Sequence, residues 1–190
     1  MTSISILKLF FRLKVEGLEN LPQKNNFIVV ANHASFLDPL IIAAAVPQKI
    51  HCIVSRLLLT FPLLKWSLER LEALPAGGSS EKAVEFLMQD KVVGLFPEGG
   101  CSADGRLREF RRGAALLALK TGRPILPCAI LGAYTALPRQ AKFPKFVPIK
   151  VKIGKPIYLL KEFDEVIDDL YLQEGIYKVR NSIQEMLNAG

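Results

Sequence analysis

Four short apolar runs constrain this chain more than anything else in it. Residues 27–31, 50–54, 92–96 and 125–130 are rich in Ile, Val and Leu, and none alternates with polar residues. A strand with one wet face alternates with period two, so an unbroken apolar run of this length reads as a strand covered on both faces. Strands buried on both faces occur mainly in parallel sheets whose connections are helices. The intervening segments fit that requirement. A helix is expected from Ser35 or Asp38 to Val46, stopped by Pro47. Another runs through residues 81–89 behind a Ser79 or Ser80 cap, and an Ala/Leu helix runs from Gly113 to Lys120 and ends at Gly122. A fifth strand at residues 149–153 does alternate, and residues 164–187 read as one or two C-terminal helices. The expectation is a single α/β domain over residues 14–190, with a largely parallel central sheet flanked by helices.

Residues 1–13 form a short basic amphipathic helix in this reading. Ile6, Leu9, Phe10 and Leu13 share one face, and Ser5, Lys8 and Arg12 share the other. Such a segment suits either a membrane interface or docking on the domain. The segment Leu57 to Leu64, followed by Trp66, is equally open to a membrane-facing surface or a core helix. No apolar run approaches the ~18 residues that read as a transmembrane helix, and no cleavable leader is evident. The cysteines Cys52, Cys101 and Cys128 are odd in number and scattered, which fits a reducing compartment.

Composition adds a tension. Half of the residues are hydrophobic, yet the net charge is +7. Basic and greasy together point to an anionic partner, a nucleic acid or a membrane surface. The charge is unevenly spread: from Phe110 through Lys161 there is no acid.

Two of the apolar runs end in residues that carry chemistry. After the first comes Asn32-His33-Ala34-Ser35-Phe36-Leu37-Asp38. α/β proteins place ligand sites at the carboxyl ends of their strands. Asp38, five residues on, can accept from one ring nitrogen of His33 and leave the other free as a base. There is no GxSxG elbow, so the base would act directly on a substrate hydroxyl. Metal binding is not indicated, because His51 is the one other histidine and there is no HExxH. After the third run comes Phe96-Pro97-Glu98-Gly99-Gly100, whose glycines let backbone N–H groups approach an anion or an oxyanion. Cys101 beside it has no partner histidine indicated and reads as packing.

Together the two blocks resemble those of the glycerolipid acyltransferase family of the 1-acylglycerol-3-phosphate acyltransferase type, with its NHxxxxD and FPEG motifs. The strand at residues 125–130, containing Pro127, and Phe110-Arg111-Arg112-Gly113 also look like that family, and the resemblance spans roughly residues 14–160. It implies acyl transfer from acyl-CoA or acyl carrier protein, as substrate, to a hydroxyl of a lysophospholipid or related precursor, with no bound cofactor. His33 would be the general base and Asp38 its orienting partner. Asn32, Phe96, Pro97, Glu98, Gly99 and Gly100 would serve the substrate, with Pro127 as structural support. The expected setting is peripheral, on the cytoplasmic face of an anionic membrane, with no nucleic acid partner.

Two departures matter. Arg56 stands where the family commonly has a phosphate-binding Lys, but Ala76-Gly77-Gly78 and Gly100-Cys101-Ser102 stand where arginines are expected. Either Arg106, Arg108, Arg111 or Arg112 substitutes, or the acceptor has no phosphate there. A degenerate lipid-binding module and an acyl thioesterase are the competing readings.

Overall fold

The computed structural model describes residues 8–55, 69, 72–76, 80–141, 143–159 and 169–189. Their strands are β1 (Lys14–Glu16), β2 (Ile28–Ala31), β3 (Ile50–Val54), β4 (Leu74–Pro75), β5 (Val92–Leu95), β6 (Ile125–Leu131) and β7 (Lys150–Ile153). The helices are α1 (Asp38–Ala45), α2 (Ser80–Met88), α3 (Gly113–Thr121), α4 (Ala133–Ala136) and α5 (Asp169–Asn188). The strands form one sheet in the order β1-β7-β6-β2-β5-β3-β4. All neighbours are parallel except β6 and β7. The fold is therefore the single α/β domain with a largely parallel sheet that the apolar runs imply.

The absence of alternation has a direct cause. In β2 and the residues beside it, Phe27, Val29 and Ala31 pack into one core, with Ile41, Ile42 and Ala45 of α1. Ile28 and Val30 pack into the other, with Phe86 and Leu87 of α2, Ala114, Leu117 and Ala118 of α3, and Ile176, Val179 and Ile183 of α5. Helices cover both faces, so every position needs an apolar side chain, each worth about 1.5–3 kcal/mol when fully buried. β7 is the exception that does alternate. Val151 and Ile153 are buried, whereas Lys150 and Lys152 are half-buried. Lys152 Nζ donates to the Met186 carbonyl near the C-terminus of α5 (3.2 Å), where unpaired carbonyls and the helix dipole favour a cation.

Residues 1–7 of the expected N-terminal helix lie outside the described residues, and its last residues, 11–13, are not helical. Of that segment only residues 8–10 are described as helical. The chain leaves them through Arg12 at φ 44°, and Phe11 enters the core while Leu9 and Phe10 stay exposed. The positive-φ turn ends the helical period, so of the expected apolar face Leu13 packs on the core from beyond the turn, and Ile6 lies outside the described residues. Arg56, Ser79 and the segment Leu57 to Leu64 with Trp66 lie outside the described residues.

Candidate active site

The register of the sheet brings the two motifs together. β2 and β5 are adjacent and parallel, with Val30 opposite Leu95. The residues that follow each strand, Asn32–His33 and Phe96–Gly100, therefore emerge side by side at the carboxyl end of the sheet.

Asn32 extends the pairing of β2 with β6 by side chain. Its amide nitrogen donates to the Ile130 carbonyl (3.0 Å) and its oxygen accepts from the Ile130 N–H (2.7 Å). Both ends of this buried amide are thus spent on the backbone, so Asn32 serves the site by holding the strand end and not by facing a ligand.

The backbone of His33 is gripped at both polar groups. Its N–H donates to Glu98 Oε1 (2.6 Å) and its carbonyl accepts from the Ser102 N–H (2.7 Å). Its ring lies against Phe96, with centroids 4.6 Å apart. Nδ1 is 2.8 Å from Asp38 Oδ2, and that same oxygen accepts from the N–H groups of Ala34 and Ser35 (2.7 Å each). An oxygen that already accepts two N–H bonds takes a third from a donor, so Nδ1 carries the proton and Nε2 keeps its lone pair. Asp38 is 1% exposed and opens α1 with Pro39 behind it. Burial pushes its carboxyl above the usual carboxylate range, while its hydrogen bonds and the His33 ring pull the other way. Its Oδ1 has no partner among the described residues.

Glu98 is also buried, and it braces two segments. Oε1 holds His33, and Oε2 accepts from the Arg108 N–H (3.1 Å). Burial raises its pKa too, opposed by those two N–H donors. Glu98 is thus placed behind the histidine. Gly99 sits at φ +73°, and a Cβ there would run into the Arg111 guanidinium, which lies over the turn. Arg111 is held by its own N–H on the Pro97 carbonyl (2.8 Å).

In front of His33 lies a cavity of about 440 Å³. Ile53, Val54, Leu95 and Phe96 wall one side, and Gly113, Leu116, Leu117 and Lys120 of α3 wall another. Among the described residues Arg111 and Lys120 are its cations, no acidic side chain lines it, and neither cation forms an ion pair. Of the residues expected to meet substrate, His33, Phe96, Pro97, Gly99, Gly100 and Arg111 line this cavity. Arg106 and Arg112 do not. Arg106 is exposed near Asp104 (3.9 Å), and Arg112 pairs with Asp169 at the start of α5. Pro127 sits in β6 opposite Val30, and its carbonyl accepts from the Gly154 N–H (2.8 Å), a supporting position. Cys101 is buried, with its thiol pushed up to about 11, so it carries little thiolate at neutral pH. Among the described residues no cluster of His, Cys, Asp and Glu is arranged to hold a metal.

Sequence reasoning missed Lys120. Its signal is the spacing Gly113, Leu116, Leu117 and Lys120, one stripe of a helix that starts beside the site.

The chain is similar to known proteins in sequence and in fold. The family model described as Acyltransferase matches residues 12–131, a span that includes both motifs and their strands. The chain belongs to the Acyltransferase family. It is 31% identical to the chloroplastic 1-acyl-sn-glycerol-3-phosphate acyltransferase BAT2 of Brassica napus, over 98% of this chain and 54% of that protein. It is 27% identical to the 1-acyl-sn-glycerol-3-phosphate acyltransferase of Borreliella burgdorferi, over 83% of this chain and 66% of that one. The chain thus spans about half to two thirds of the length of these curated relatives. It is also similar to the crystal structure of the 1-acyl-sn-glycerophosphate (LPA) acyltransferase PlsC of Thermotoga maritima. There the TM-score is 0.77 at 27% identity, covering 96% of this chain and 79% of that one. The fold of this acyltransferase-family chain therefore has a solved counterpart. Among its described residues no helix is long and apolar enough to cross a membrane.

Proposed function

We propose that the protein transfers a fatty acyl group from an acyl thioester, carried by CoA or acyl carrier protein, to the free hydroxyl of a lysophospholipid of the 1-acylglycerol-3-phosphate kind. The observation that carries this reading is the free Nε2 of His33 at the wall of a largely apolar cavity that also holds Arg111 and Lys120. His33 Nε2 takes the proton of the acceptor hydroxyl as its oxygen attacks the thioester carbonyl. The tetrahedral oxyanion then collapses, the C–S bond breaks, and the imidazolium returns the proton to the departing thiolate. Asp38, fixed by three hydrogen bonds, holds the tautomer and stabilises the imidazolium. The Gly100 N–H has no acceptor among the described residues and lines the cavity, which suits it to the oxyanion. Arg111 and Lys120 replace the arginines missing from the motifs and take the acceptor phosphate. The relatives' names support a phosphate-bearing acceptor. Access to a lipid acceptor implies peripheral contact with a membrane.

The test is a panel of acyl-CoA and acyl carrier protein donors against lysophosphatidate, glycerol 3-phosphate and other lysolipids. Wild-type protein should release thiol only with an acceptor present, and best with lysophosphatidate. His33→Ala should lower transfer by about 10³-fold with little change in melting temperature, within the range of lost acid–base catalysis. Thiol release without any acceptor would replace this reading with a thioesterase, and full activity in His33→Ala would remove the histidine from the mechanism.

A further inference from the structure

One surface feature lies outside the site and its cavity. Phe143 and Phe146, on the stretch between α4 and β7, are 81% and 64% exposed; Phe10, whose ring packs on Phe146, is 49% exposed, and Leu9, next to it in sequence, 68%. The cluster is built, not incidental. The Phe146 ring contacts Phe10 (centroids 5.1 Å) and Phe11 (5.7 Å), and Phe11 is rooted in the core. The two segments are also zipped by backbone: the Ile149 N–H donates to the Phe11 carbonyl (2.9 Å), and the Lys14 N–H donates to the Ile149 carbonyl (3.0 Å). Exposed aromatics gathered and held in this way mark a contact surface.

The charge around the patch selects the partner. Lys8, Arg12 and Lys145 are exposed and adjoin these aromatics in sequence. Neither contributing stretch carries an acid: none occurs in residues 1–15 or from Phe110 through Lys161. Exposed phenyl rings fringed by lysine and arginine match the surface of an anionic bilayer, with rings at the acyl boundary and cations at the headgroups. The stretch is also fastened to the catalytic loop, because Ser35 Oγ donates to the Leu137 carbonyl (2.8 Å) three residues before Asp38.

We propose that the patch formed by Leu9, Phe10, Phe143 and Phe146 is the face by which this domain sits on anionic lipid. This deepens the acceptor reading above and rests on it for the choice of lipid as partner. The attachment puts the bilayer against the element that carries His33.

The experiment is sedimentation of the full chain with phosphatidylcholine vesicles, with and without about 30% phosphatidylglycerol, the anionic component that attracts basic segments. Wild-type protein should bind the anionic vesicles and bind neutral ones several-fold more weakly. Phe143→Ser combined with Phe146→Ser should weaken binding about tenfold or more through lost apolar insertion. Lys145→Glu should weaken it on anionic vesicles alone. Phe143→Ser by itself, at a ring without core contacts, should give a smaller loss at unchanged melting temperature, which separates the effect from misfolding. Transfer to a short-chain acceptor kept below its micellar concentration should be unchanged in all of these variants. Unchanged vesicle binding in the double variant would overturn the proposal. So would lipid-free self-association that Phe143→Ser disperses, since the patch would then be a contact between copies. Patch-dependent vesicle binding without acyl transfer to any acceptor would leave this inference standing and defeat the catalytic reading. Transfer with patch-independent binding would do the reverse.

Discussion

Two buried carboxyl groups stand behind one histidine, and they do different work. Asp38 orients the ring, whereas Glu98 holds the backbone that carries it. Both are pushed upward by burial, so the folded state costs most when they are ionised. For such a group the stabilising contribution is full below the unfolded pKa, about 4, and is lost as pH rises through the higher folded value. Glu98→Gln tests this. It keeps one acceptor and turns an NH₂ toward the other N–H donor, so it should cost about 1–3 kcal/mol at low pH. The gap between wild type and variant should then narrow as pH rises through the raised Glu98 value, read from urea midpoints at successive pH. A gap that stays constant across that window would show that Glu98 titrates as it does in the unfolded chain. The histidine, the aspartate and the glutamate were all legible in the sequence as candidates, and the structure brings them together. The division of labour between Asp38 and Glu98 was not legible, because it depends on which N–H groups the fold presents to each oxygen.

At the scale of elements, α3 contributes more than packing. Ala114, Ala115 and Ala118 are buried against the sheet, while Gly113, Leu116, Leu117 and Lys120 form the stripe along the cavity. The helix ends at Gly122, which adopts φ 65°, so Lys120 lies in its last turn, where the dipole favours a cation. Lys120→Ala should leave the helix intact, since alanine is a strong helix former. Its expected effect is a roughly tenfold rise in KM for a phosphate-bearing acceptor, of the size of one lost charge-assisted contact, with kcat less affected. The same variant should be indifferent to an acceptor without phosphate. Equal losses on both acceptors would move Lys120 to the donor. The arginines near the motifs show why sequence distance misleads here. Arg111 and Arg112 are neighbours, yet one lies over Gly99 and the other reaches Asp169 of α5. Arg111 precedes the helix and is tied by its N–H to the Pro97 carbonyl, whereas Arg112 is the N-cap of α3, so one faces the cavity and the other the next helix.

Across the whole molecule, the positive charge is neutralised in some places and left open in others. Glu16 pairs with Lys150 (3.4 Å) and Asp169 with Arg112, but among the described residues Arg111 and Lys120 have no acid beside them in the cavity. A cleft with one sign of charge draws anions by a field that salt screens. KM for anionic donor and acceptor should therefore rise several-fold between about 0.05 and 0.5 M salt, over which the Debye length falls about threefold, with kcat nearly flat. A salt-independent KM would show that the cavity binds by shape alone. The sequence by itself determined the four central strands β2, β3, β5 and β6, because burial on both faces demands unbroken apolar runs, and it determined the His33–Asp38 pair, because the loop joining them is only four residues long. Only the tertiary structure decided that β5 lies beside β2, so that Glu98 reaches His33 across 65 positions of chain. It also decided that Phe11 roots a patch with Phe146, and that Arg111 and Lys120 face the same space. Those outcomes depend on which elements pack together, and hydrophobic patterning, local by nature, sets the face of each element without choosing its neighbour.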